Sequence, residues 1–200
     1  MKKILTFSAT ALAAIIALSG CSTGTEGGAM PGMDHGSSAM STAQGPSIDG
    51  EHNAADTMFA QMMLPHHSQA VEMSDIMLAK PGMDAKIIAL SKDIKAAQAP
   101  EITTMTNFLN SWGEPTAMTG DHAMEGMMTS ADLDKLKAAE GTEAARMFLI
   151  QMTAHHEGAL QMAKTEVVDG KNSDAVSLAK TIVSSQEAEI NDMKDLLAAL

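Results

Sequence analysis

The chain has 200 residues with 13 Lys and Arg against 25 Asp and Glu, a formal net charge of -12. The length sets one domain as the expectation; the charge excludes phosphate backbones and anionic headgroups as natural partners and favours cations. Nineteen Met and seven His stand beside one Cys, one Trp and no Tyr, more of a flexible, weakly specifying side chain than core packing asks for.

In chain order, Met1-Lys2-Lys3 is a basic start, and Ile4 to Leu18 is an apolar run too short to span a bilayer comfortably. It ends in Leu18-Ser19-Gly20-Cys21, which resembles a bacterial lipobox. Residues 1–21 are therefore expected to be a lipoprotein signal peptide with Cys21 as the lipid attachment, the alternative being an ordinary secretory signal. Losing Lys2 and Lys3 leaves 11 basic against 25 acidic side chains, a net of -14. With Cys21 acylated the mature chain has no thiol, so any soft-metal ligand must be a thioether or an imidazole. The expected location is extracytoplasmic, anchored to the bacterial cell membrane through the lipid alone. Residues 22–50 are Gly, Ser, Thr and Ala with scattered Met and read as a flexible tether.

Residues 51–200 carry helical patterning throughout. Helix A is predicted from Asn53 to Lys80, stopping at Pro81-Gly82 and continuing through Pro65 with a mild kink. Helix B runs from Asp84 to Trp112-Gly113. A low-complexity segment follows at 114–129, then a short helix capped by Ser130 and running to Glu140. Thr142 is the expected cap of helix C, which ends at Asp169-Gly170, and Asn172 or Ser173 opens helix D.

An internal repeat organises these helices. Met58-Phe59, Met63, His66-His67, Ala70 and Met73 recur 89 residues on as Met147-Phe148, Met152, His155-His156, Ala159 and Met162. Helices B and D repeat one residue out of step, Gln98, Glu101, Ile102 and Met105 matching Gln186, Glu189, Ile190 and Met193. A duplicated hairpin that cannot bury its apolar face alone predicts an all-α, ferritin-like antiparallel four-helix bundle.

At about 100° per residue, Phe59, Met63, His66, Ala70, Met73 and Met77 share one narrow stripe, with His67 on its edge. One His of each pair is expected to face the core and its neighbour a flank. Gln98, Glu101, Gln186 and Glu189 fall on apolar faces, and a buried carboxylate must have a partner. Two arrangements follow: a structural His–Glu pair in each half, or a metal site of His66, His155, Glu101 and Glu189. Helical Met such as Met73, Met77, Met105, Met162 and Met193 reads first as core filler. Loop Met does not. Met30, Met33 and His35 lie in the tether, and Met118, His122, Met124, Met127 and Met128 lie between the hairpins, among Gly, Asp and Thr with no core to fill. Thioethers with an imidazole are soft neutral ligands for Cu(I), with Ag(I) as a mimic, whereas Zn²⁺ wants more Cys or His and Ca²⁺ wants oxygen. Oxidant-scavenging surface Met is the alternative.

The doubled Met-x-x-His-His-x-x-Ala-x-x-Met, followed by Gln-x-x-Glu-Ile-x-x-Met, resembles domain-of-unknown-function family 305, four-helix proteins that include periplasmic copper-binding members of the CopM type. The resemblance covers about residues 53 to 200. It implies a ferritin-like fold and copper binding in homeostasis or resistance, and it carries Met63, His66, His67, Met73, Met152, His155, His156 and Met162. The expected function is a copper-binding lipoprotein that sequesters or delivers Cu(I) or Cu(II), with a copper-transfer protein as a further partner and no enzymatic activity. Against a di-iron enzyme, the inward acids are only Glu101 and Glu189 and no helix has Glu-x-x-His. A weak cuprous oxidase and a metal-free envelope bundle are the competing readings.

Overall fold

The computed structural model describes residues 50–118 and 124–200. Five helices and no strand occur among them: α1 (Ala54–Leu78), α2 (Ala85–Trp112), α3 (Ser130–Ala138), α4 (Gly141–Asp169) and α5 (Ser173–Ala198). Cys21, the expected lipid attachment, and Met30, Met33, His35 and His122 lie outside the described residues.

Local chemistry sets most of the helix ends. Asn53 caps α1 through Ala55 N and Asp56 N, and Asp56 returns a bond to Asn53 N, a reciprocal capping box. Asp84 and Asn172 cap α2 and α5 with their side chains. Two expected caps are corrected. Thr129, not Ser130, closes a capping box with Asp132 on α3. Thr142 lies inside the first turn of α4, whose cap residue Glu140 makes no side-chain capping bond. Gly141, at a φ of 53° that glycine adopts at little steric cost, lets α4 begin directly behind α3. Both α1 and α2 run through a proline, Pro65 and Pro100, and each proline is exposed. The carbonyl that each ring leaves unpaired can therefore meet water.

The duplicated hairpins are α1–α2 and α4–α5, and they meet chiefly through α1 and α4, while α2 and α5 touch only slightly. The two central helices run antiparallel, so the core falls into two clusters related by the repeat. One holds Phe59, Met63, Met105, Ala159 and Ile182; the other holds Ala70, Met73, Ile94, Phe148, Met152 and Met193. α3 lays Leu133 and Leu136 onto the second cluster. No described helix is long and apolar enough to cross a membrane.

Candidate metal centre

All four histidines of the doubled motif are buried between the two clusters, each no more than 1% exposed. The neighbour expected on a flank of each pair, His67 or His156, is thus buried as well. Each central helix is covered on two faces, by its own hairpin partner and by the other central helix, and this widens the buried stripe beyond what one helix suggests.

Across the central seam, the rings of His66 and His155 lie 3.7 Å apart at 41°. On the two flanks, His67 Nε2 is 2.8 Å from Glu101 Oε2 and His156 Nε2 is 2.6 Å from Glu189 Oε2. The expected quartet of His66, His155, Glu101 and Glu189 is therefore not assembled: each glutamate pairs with the flank histidine of its own hairpin. Depth across two helices decides this, and a single-helix projection does not contain it. Among the described residues, no three His, Asp or Glu side chains form a metal cage.

The interhelical segment covers the seam. His66 Nε2 lies 3.3 Å from the Glu125 carbonyl oxygen. Gly126 and Gly158 make this approach possible, because a Cβ on Gly158 would collide with the Glu125 carbonyl and one on Gly126 with Ala154 O. On the other side, Gln69 donates to Met128 O and accepts from Met128 N, at 2.9 and 2.7 Å. Met128 also packs against the core, which corrects the expectation that the segment has none to fill. Met118, Met124 and Met127 are half-buried.

A carbonyl or carboxylate oxygen can only accept, so Nε2–H is the donor in His66, and likewise in His67 and His156. Among the described residues, that leaves Nδ1 of these three rings and both nitrogens of His155 buried with no close hydrogen-bond partner, the His66 backbone standing nearby at His155. Burial, then the charge that neighbouring imidazoles would carry, pushes His66 down to about 3 and His155 lower still. Both are neutral, with a lone pair available. An orphaned buried polar atom costs about 1–3 kcal/mol, so five of them in one core need an explanation. A ring that donates one N–H to a carboxylate or carbonyl and offers its other nitrogen is the usual posture of a metal ligand. Thioethers flank the rings in sequence. Met63 and Met152 precede His67 and His156 by one helical turn, and Met105 and Met193 follow Glu101 and Glu189 by one turn. All four are fully buried. Met73 and Met162 complete the set from the opposite hairpin, Met73 buried with Met152 and Met162 half-buried against the cluster of Met63. Gln98 and Gln186 are buried nearby on the same faces as the glutamates with polar atoms also unpartnered; their place on apolar faces was the sequence signal for them.

The profile of the family described as "Domain of unknown function (DUF305)" matches residues 56–197. No functionally curated protein matches. Among solved structures, a DUF305 protein from Streptomyces coelicolor described as secreted is 38% identical, with a TM-score of 0.69, over 72% of this chain and 91% of its own. A DUF305 fragment from Deinococcus radiodurans is 30% identical, with a TM-score of 0.70, over 76% of this chain and all of its own. CopM in its Cu(I)-bound form is 29% identical, with a TM-score of 0.61, over 72% of this chain and 96% of its own; CopM has also been solved with Cu(II) and with Ag.

Proposed function

The chain belongs to the DUF305 family, and on that premise we propose that it is an extracytoplasmic, lipid-anchored protein that sequesters or delivers copper through buried methionine and histidine side chains. The observation that carries the reading is the set of buried imidazole nitrogens with no close protein partner among the described residues, those of His66 and His155 on neutral rings, in a core rich in buried methionine. Neutral nitrogen and sulfur donors suit Cu(I), which accepts two to four soft ligands without negative charge, and imidazole also accepts Cu(II). His66 and His155 would hold the ion at the seam; His67 with Met63 and His156 with Met152 would hold it in each hairpin. Glu101 and Glu189 orient their imidazoles instead of binding metal. The copper-bound forms of CopM support the choice of ion, and the secreted relative supports the location. Copper is cargo here, and no oxidase step is assigned to the chain.

The test is an anaerobic Cu(I) titration of the full chain against a chromophoric chelator, beside a His66→Leu/His155→Leu variant. Sub-picomolar retention in the wild type, weakened at least 100-fold in the variant, is the expected result. The His–Glu pairs favour a second reading, a metal-free bundle in which they only specify packing. Failure to compete with the chelator would establish it and sink the copper reading. Catalytic oxygen uptake with Cu(I) would replace the carrier by an oxidase.

A further inference from the structure

The repeat relates the two ends of the α1–α4 groove, yet among the described residues a helix covers only one of them. At the end formed by the C-terminal half of α1 and the N-terminal half of α4, α3 seals the groove with Leu133 and Leu136, and Gln151 donates to the Asp132 carbonyl at 3.4 Å. At the opposite end no helix among the described residues lies on the groove, and a cleft of about 510 Å³ remains. Met58, Met62 and Met162 line it, with Glu125, Glu166 and Asp169 at its walls. By the 89-residue shift, the counterpart of Met62 is Gln151, the side chain that ties α3 down. A thioether thus stands at the open end where the closed end has a polar tether. Met58 is 51% exposed and Met62 half-buried, four residues apart and so on one face of α1. Met162 faces them from α4 and also packs against the buried cluster of Met63 and Met105.

We propose that Met58, Met62 and Met162 form a surface site for a soft monovalent cation at the open end of the α1–α4 groove, joined to the buried histidine centre only through Met162. Three neutral thioethers satisfy Cu(I) or Ag(I) and offer little to Ca²⁺, Mg²⁺ or Zn²⁺. Met has three rotatable bonds, so the side chains can close on an ion within a cleft wide enough to admit the ligand that brings it. Met162, shared between cleft and core cluster, sets the surface site beside the buried thioethers. The choice of copper as cargo rests on the proposed function, but the site itself does not.

The experiment uses the full chain labelled with ¹³C at the methionine methyls, assigned by single Met→Leu substitutions and titrated with Ag(I). The expected result is a downfield shift of the Met58, Met62 and Met162 methyls. In a Met58→Gln/Met62→Gln variant, the Met162 shift should disappear and the bound Ag(I) should fall by one equivalent. Both substituted residues are at least partly exposed, and an unchanged circular dichroism spectrum would verify the fold. Stationary Met58 and Met62 methyls, with Met63 and Met152 shifting, would overturn the surface site and leave the buried centre standing. Shifts confined to Met58, Met62 and Met162 would support the surface site and overturn the buried one. No shift at any methionine would overturn both.

Discussion

At Glu101 and Glu189 a carboxylate decides which nitrogen of its histidine is left for a ligand. Replacing either by Gln keeps an acceptor oxygen but removes the charge that raises the basicity of the ring. Glu101→Gln is expected to weaken Cu(I) retention by about 10–100-fold with the far-ultraviolet spectrum unchanged, measured by chelator competition. A second acid pair sits away from the metal centre. Burial alone would raise the Asp56 carboxyl, but the neighbouring Glu166 carboxyl and the N–H groups of Asn53, Asn172 and Lys171 hold it below the ordinary range. Glu166 is pushed up to about 8, first by burial and then by the Asp56 charge. Between its ordinary value of 4.5 and about 8, the folded chain keeps a proton that the unfolded chain has released. The Glu166 contribution is therefore complete below pH 4.5 and lost as pH rises through 8, a loss on the order of 2–4 kcal/mol. The Asp56 contribution is present above 3.8 and lost as pH falls through its lower folded value. Melting temperature should decline between pH 4.5 and about 8, and Glu166→Gln should flatten that decline; an unchanged slope in the variant would remove Glu166 as its source.

The interhelical segment is held over the seam by two different devices, a glutamine clamp at Gln69 and a side-chain-free gap at Gly158. Ala at position 158 would gain up to about 1 kcal/mol of helix propensity. Its Cβ, however, would meet the backbone of Glu125 and Gly126, which cannot rotate away as a flexible side chain would. Overpacking of this kind costs about 1–3 kcal/mol, so Gly158→Ala is expected to destabilise the chain in urea and to weaken copper retention by pulling the Glu125 carbonyl off His66. A variant as stable as the wild type would show that the segment moves freely. The helices, the duplication and the residues of the buried stripe were legible in the sequence, because the 89-residue repeat and the helical period report directly on one-dimensional order. The partner of each glutamate was not, since it depends on the relative depth of two helices. The covering role of Glu125 was equally hidden: it uses a backbone carbonyl, and Gly126 and Gly158 lie far apart in sequence. The cap of α4 was misplaced because a positive φ at Gly141 replaces the hydroxyl that Thr142 seemed to supply.

At the scale of the whole molecule, the hairpins meet through a seam whose centre is the His66–His155 contact, so an ion held there ties one half of the duplication to the other. Binding only the folded chain, copper at a thousandfold excess over its dissociation constant adds about 4 kcal/mol. For a domain of this size each kcal/mol raises the melting temperature by about 2–4 °C, so loading with Cu(I) should raise it by roughly 8–16 °C and a chelator should reverse the rise. His155→Leu separates the copper and structural readings. Among the described residues neither ring nitrogen of His155 makes a close hydrogen bond, so an apolar side chain there removes a poorly satisfied polar group at a cost that repacking keeps below about 1.5 kcal/mol. The metal-free variant is expected to melt at or above the wild type and to lose most of the copper-induced rise. If it instead melted several degrees lower and kept the rise intact, His155 would be a packing residue and the ion would lie elsewhere. The opposite pattern would mean that the core gives up stability in the empty state to keep an imidazole ready for the metal.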